Sequence, residues 1–190
     1  RLLCGVSHAL IRDEFLKFRQ ENIITCRNLS NPISILVTLG GVDVHNILTR
    51  LVNFFSGWDY CNYKLTIISG QSNKYYDSLR SLVENNSRIS LVKSTNNIAS
   101  LMSMCDIAIC AGGATSIELL YMRVPSICMI LADNQEMICQ RLHQLNLMRC
   151  VGSYNDNWEE KLSSYLKYVI NNYQKVISDL KNLKVADKNI

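Results

Sequence analysis

Two glycine pairs, Gly40-Gly41 and Gly112-Gly113, each end an apolar run and each precede a helical pattern. Glycine lets the backbone turn steeply and approach a bound group closely. A helix that starts there aims free N–H groups and its positive dipole end at that group. A pyrophosphate is the kind of group such a turn seats. Gly112-Gly113-Ala114-Thr115-Ser116 is the sharper of the two, and Glu118 follows one turn on in an otherwise apolar stretch. A carboxylate on a sheet-facing helix is costly to bury unless it is paired. Vicinal hydroxyls, as a ribose offers, would pair it. Thr115 and Glu118 also have the spacing of a capping box, and the plain structural reading of the glycines is a tight turn with Thr115 or Ser116 as N-cap.

Other polar positions gather at the same kind of place. Asp133-Asn134-Gln135 ends the next apolar run, Asp43 follows Gly40-Gly41, and Ser69-Gly70-Gln71 and Ser94-Thr95-Asn96-Asn97 end two more. Together they form a ring of small and amide side chains with little charge, suited to a neutral polar ligand that carries phosphates. Neither glycine pair is followed by the third glycine of a GxGxxG fingerprint, which argues against NAD. No Ser-His-Asp order, HExxH or paired carboxylate stands out. His45 and His143 fall on helical patterns, and His8, in an irregular lead-in, is the histidine that could approach the site.

These residues need a frame, and the chain supplies an alternating one. Strand-like runs occur at ISILVTL (33–39), KLTIIS (64–69), RISLVK (88–93), DIAIC (106–110), SICMIL (126–131) and MRCV (148–151). Helical spacing fills the intervals, as in 44–55, where Val44, Ile47, Leu48, Leu51 and Phe55 share a face. Nearly continuous apolar strands require helices on both faces of the sheet. The expected fold is therefore α/β, a Rossmann-like doubly wound parallel sheet. Ligands of such sheets bind outside the carboxyl ends of the strands, where all the polar loops above fall. Residues 1–30 read as a lead-in or inter-domain segment, 31–155 as the ligand-binding domain, and 156–190 as helices packing on it. Residues 158–177 read as one amphipathic helix, and the last residues, 183–190, read as frayed.

Composition narrows the function classes. A chain of 190 residues with 48% hydrophobic and 19% charged residues is a globular chain with room for a sizeable core. No apolar run reaches the ~18 residues of a membrane helix. The net charge of +4 comes from scattered Lys and Arg, which argues against nucleic acid as a partner. The eight cysteines (Cys4, Cys26, Cys61, Cys105, Cys110, Cys128, Cys139 and Cys150) include no CxxC pair. Several sit in apolar runs, where Cys acts as a small hydrophobe. Reduced thiols in a cytoplasmic protein, and no metal site, are expected.

Four stretches resemble one known family. LCGVSHALIRDEF (3–15), VTLGGVDVHN (37–46), CDIAICAGGATSIE (105–118) and VPSICMILADNQ (124–135) are similar to motifs in the C-terminal half of the PseG family. These are UDP-2,4-diacetamido-2,4,6-trideoxy-β-L-altropyranose hydrolases of pseudaminic acid biosynthesis. More distantly the chain resembles the GT-B glycosyltransferase MurG. The resemblance implies the C-terminal domain of a GT-B architecture that grips a UDP-sugar without metal or cofactor. By position it implies Gly112, Gly113, Ala114 and Thr115 on the diphosphate and Glu118 on the ribose. It further implies Asp133, Asn134 and Gln135 facing the sugar and Gly41 lining the inter-domain cleft. The family's catalytic histidine lies in an N-terminal domain, so that domain is the expected partner, in cis or in trans, and no catalytic residue is assigned within this chain. The family has a tyrosine at the position of His8. Two other readings share this grip: the donor half of a MurG-like transferase, and a non-catalytic nucleotide-sugar sensor.

Overall fold

The structure is a computed structural model, and it describes residues 9–21 and 28–182. His8, Cys4, Cys26 and the tail 183–190 lie outside the described residues. Six strands form one sheet: β1 (Ile33–Thr38), β2 (Tyr63–Ser69), β3 (Ile89–Lys93), β4 (Ile107–Ala111), β5 (Ser126–Ile130) and β6 (Arg149–Ser153). Every pairing is parallel, in the order β3-β2-β1-β4-β5-β6. This is the doubly wound sheet expected from the alternation, with its strand order reversing between β1 and β4.

Among the described residues eight α-helices flank it: α1 (Asp13–Glu21), α2 (Ile47–Ser56), α3 (Tyr76–Val83), α4 (Ile98–Met104), α5 (Ala114–Tyr121), α6 (Glu136–Gln144), α7 (Trp158–Asn171) and α8 (Tyr173–Lys181). Among the described residues no helix is long and apolar enough to cross a membrane. The stretch read as one tail helix is two, α7 and α8, divided at Asn172, whose amide side chain donates to the Tyr168 carbonyl.

Alternation along the strands divides the interior into two cores. Ile35 and Val37 of β1, Ile107 and Ile109 of β4, and Ile127 and Met129 of β5 face one side, against α2, α3 and α7. Phe55, Trp58 and Tyr63 pack as a ring cluster there. Leu36, Ala108, Cys110 and Cys128 face the other side, against α1, α4, α5 and α6. The side chains on this second face are small, so its helices can sit close to the sheet.

The lead-in contributes α1, which is anchored rather than loosely appended. Phe15 is completely buried. Glu14 accepts a hydrogen bond from the Ala99 amide at the start of α4, 3.1 Å away. Arg19 stacks on the Tyr121 ring, 4.5 Å from its centroid, and donates to the Tyr121 carbonyl. Asp106 is likewise spent on structure: its carboxylate accepts from the Ser30 hydroxyl and from the Ser34 amide, at 2.8 Å, tying down the entry to β1.

Candidate functional site at the carboxyl ends of the strands

β1 ends in the Gly40-Gly41 turn. Gly40 has φ +100°, a region that only glycine enters without strain. Gly41 lies against the β2–α3 loop so closely that a Cβ on Gly70 would sit 2.0 Å from the Gly41 carbonyl oxygen. Gly70 is therefore required for space. Asp43 is buried, and its two carboxylate oxygens accept from the Ile47 and Leu48 amides at 2.8 and 2.9 Å. That bond set closes the start of α2. It also corrects the expected helix: α2 begins at Ile47 rather than near Val44, because Asn46 adopts a left-handed conformation (φ 53°). Val44 is consequently 60% exposed instead of sharing the buried face.

His45 follows the same correction. It lies in the turn, not on a helix, and stacks on Tyr154 beyond β6 with ring centroids 3.7 Å apart. This pairing of an exposed histidine with a half-buried tyrosine was not foreseen, since nothing in the sequence links positions so far apart.

β4 ends in the second glycine pair, and the two glycines there do different things. Gly112 is buried; a Cβ would meet the Cys139 sulfur at 2.1 Å and Gln135 at 3.2 Å, so glycine is needed for the loop to lie on α6. Gly113 has open space around its missing Cβ, with nothing within 4 Å. It is the N-cap of α5, and no side chain caps that helix. The Ser116 hydroxyl donates to the Gly113 carbonyl at 2.6 Å instead of reaching the helix amides. Neither Thr115 nor Ser116 is thus the N-cap, and no capping box forms: Thr115 is the second helical residue and Glu118 lies beyond the first turn. The helix opens towards solvent with its first N–H groups and its dipole uncompensated by protein.

Glu118 is 2% exposed. Its partner is Arg12, which donates from Nε to Oε1 at 2.5 Å and from Nη2 to Oε2 at 2.9 Å. Hydrogen bonding to Glu118 raises the Arg12 pKa above its ordinary value, so the guanidinium stays charged. This bidentate pair answers the desolvation cost of the buried carboxylate. The arginine side chain is 56% exposed, so the outer edge of the pair reaches solvent. Arg12 is a residue of the site that sequence reasoning missed; it stands within the LIRDEF stretch that carried part of the family resemblance.

Asp133, Asn134 and Gln135 form one turn of 3-10 helix leading into α6. Asp133 and Asn134 are exposed. Gln135 is partly spent on structure, its Oε1 accepting from the Leu131 amide at 3.0 Å while its backbone and Cβ pack near Gly112. Gly41, Gly112, Gly113, Ala114, Thr115 and the 133–135 turn thus all fall at the carboxyl ends of β1, β4 and β5, around the point where strand order reverses. The cavity of about 200 Å³ between β5, β6 and α8, lined by Ser126, Arg149, Tyr168 and Lys175, is at the opposite end of the sheet.

Beneath the same loop, the second core brings three thiols together. The Sγ atoms of Cys128 (β5), Cys139 (α6) and Cys150 (β6) all lie within 4.8 Å of one another. The six described cysteines are free thiols. Hydrogen bonds with Cys128 and Cys139 lower the Cys150 pKa, whereas bonds with Cys139 and Cys150, together with burial, raise that of Cys128.

Comparison with known proteins places this arrangement in a family. A spore coat polysaccharide biosynthesis protein of Bacillus subtilis, SpsG, is 25% identical over 136 residues, covering 70% of this chain and 38% of that protein. An uncharacterised protein of Methanocaldococcus jannaschii is 27% identical over 124 residues, covering 64% of this chain and 25% of that protein. The chain therefore spans well under half the length of these relatives. Among solved structures, Acinetobacter baumannii MurG superposes with a TM-score of 0.66 at 15% identity, covering 84% of this chain and 48% of the other. The spinosyn rhamnosyltransferase SpnG, in complex with thymidine diphosphate, superposes at 0.62 with 16% identity, covering 82% and 41%. These likenesses establish the fold as that of the C-terminal domain of GT-B glycosyltransferases, as the MurG resemblance implied; they do not single out the PseG hydrolases. Residues 34–189 match the glycosyltransferase family 28 C-terminal domain, and the chain belongs to that family.

Proposed function

We propose that this domain is the donor-binding half of a UDP-sugar glycosyltransferase, with the diphosphate seated at the amino end of α5. The observation that carries the reading is the uncapped helix start at Gly113, beside open space, in a fold whose other glycine turn is closed by Asp43. The Gly113 N–H is spent on the Ala111 carbonyl at 2.9 Å, so the backbone N–H groups of Ala114 and Thr115 hold the phosphates, as helix N-termini do. Glu118, oriented by Arg12, accepts from the ribose hydroxyls, and the exposed arginine adds positive charge beside the phosphates. Asp133 and Asn134 face the sugar, Gln135 braces the rim, and Gly41 lines the cleft.

The chemistry follows from this placement. Breaking a sugar–diphosphate bond leaves negative charge on the diphosphate, and preorganised N–H donors and an arginine stabilise it without a metal. Activating the attacking hydroxyl needs a base, which the N-terminal domain of a GT-B pair supplies. Val42 and Val44, in the loop after β1, and Met137 (82% exposed), in the first turn of α6, leave apolar surface at this end of the sheet, which suits docking of such a domain. The family match and the likeness to MurG and SpnG favour transfer over hydrolysis, so the pseudaminic-acid hydrolase reading becomes the second one.

Calorimetric titration of the chain with UDP, thymidine diphosphate and NAD tests the grip: UDP saturates one site and NAD gives no heat. Glu118→Ala weakens UDP by ~1–3 kcal/mol, the loss for hydrogen bonds to a charged group. A chain that binds NAD and not UDP overturns the reading. The reaction is decided on the complete two-domain protein with a UDP-sugar. Release of UDP that depends on an acceptor is transfer, acceptor-independent release with free sugar is hydrolysis, and tight binding without turnover is a sensor.

A further inference from the structure

Three of the five cysteines in the second core converge from consecutive elements. Cys128 comes from the middle of β5, Cys139 from α6 and Cys150 from β6, whose strand pairs Cys128 with Cys150 in register. Cys128 and Cys139 are fully buried and Cys150 is half-buried, so the cluster is open on one side only. Cys110 on β4 interacts electrostatically with both Cys139 and Cys150, which adds a neighbouring fourth sulfur. The remaining described cysteines, Cys61 and Cys105, take no part.

We propose that Cys128, Cys139 and Cys150 form a trithiolate site for a thiophilic divalent cation of the Zn²⁺ class. The donor set decides the class. Three sulfurs with no carboxylate among them, and with the Met129 carbonyl oxygen 3.9 Å from Cys139 Sγ, select zinc-like ions over Mg²⁺ or Ca²⁺. Thiolates ~2.3 Å from one ion stand ~3.8 Å apart in tetrahedral geometry, a spacing compatible with sulfurs confined within 4.8 Å of one another. The backbone N–H of Cys150 donates to His143 Nδ1 at 3.2 Å, which fixes the strand carrying the most accessible of the three ligands. Binding is ligand exchange without electron transfer: each thiol that coordinates passes its proton to solvent. The bound ion ties β5, α6 and β6 together, and because the Cys139 sulfur lies against Gly112, it stiffens the loop from below.

The test uses the unmutated chain first. Zn²⁺ is titrated into the reduced chain, followed by X-ray absorption of the loaded protein and alkylation of its native thiols. The expected results are one equivalent bound, a shell of about three sulfurs at ~2.3 Å, and alkylation slowed at Cys150 but unchanged at Cys61. Single alanine substitutions at Cys128, Cys139 and Cys150 each weaken Zn²⁺ by roughly tenfold or more, whereas Cys61→Ala leaves it intact. Circular dichroism identifies any variant that fails to fold, and the readouts on the unmutated chain then decide alone. A shell of oxygen and nitrogen only, no stoichiometric uptake, unchanged Cys150 alkylation, or undiminished Zn²⁺ affinity in a folded single variant at Cys128, Cys139 or Cys150 overturns the site.

Discussion

The turns after β1 and β4 begin alike, each with two glycines at the carboxyl end of a central strand, and they end in opposite states. After β1, Gly40 supplies a positive φ, Gly41 is pressed against Gly70, and Asp43 satisfies the first free amides of α2. After β4, Gly112 supplies room for Cys139, Gly113 faces open space, and α5 starts without a side-chain cap. The same dipeptide thus builds a sealed turn in one place and an open anion seat in the other. What separates them is whether a carboxylate follows that can fold back on the helix. Asp43 does so; Glu118, one turn inside α5, is held by Arg12 instead.

The contrast can be broken by substitution, with effects that fall in a definite order. Gly70→Ala is the most damaging, because its methyl meets backbone atoms of Gly41 rather than a side chain that can move. Its cost is about 3 kcal/mol, the upper part of the usual range for overpacking, seen as a lower denaturation midpoint with unchanged slope. Gly112→Ala costs ~1–3 kcal/mol by the same measure, since the obstacle is the Cys139 sulfur. Adding Cys139→Ala relieves part of that loss, so the double variant is more stable than the sum of the singles predicts. Asp43→Ala removes the seal on α2 and costs ~1–2 kcal/mol, as loss of a helix cap does. It leaves UDP affinity unchanged, because the sealed turn does not hold the diphosphate.

Much of the frame was legible because its signal is local. All six strands fall within two residues of their expected bounds, since strands covered on both faces must be apolar almost throughout. Parallel pairing then follows from the alternation, and with it the gathering of the glycine loops at one end. Features that depend on distant partners were not legible. Arg12 and Glu118 are 106 residues apart, and nothing in either neighbourhood announces the pair. The Thr115–Glu118 spacing suggested a capping box, but the helix starts two residues earlier than that motif requires. Asn46 shortens α2 through a backbone conformation that no periodicity records. Cys105, Cys110 and Cys128 were read as small hydrophobes in apolar runs and are buried, yet the convergence of Cys128 with Cys139 and Cys150 depends on strand register and on where α6 crosses the sheet.

Gly113→Ala is the mildest change to the fold and the sharpest to the site. Its φ of −137° suits alanine, and no protein atom lies within 4 Å of the added methyl, so stability stays within ~0.5 kcal/mol of the parent. The measurement that bears most directly on the diphosphate seat is a UDP titration of this variant beside the parent chain and Asp43→Ala. The account predicts full binding by the parent and by Asp43→Ala, and a loss of roughly tenfold or more, ~1.4 kcal/mol, for Gly113→Ala with its melting temperature unchanged. UDP binding undiminished by Gly113→Ala, or abolished by Asp43→Ala in a folded chain, would place the phosphates elsewhere and contradict it.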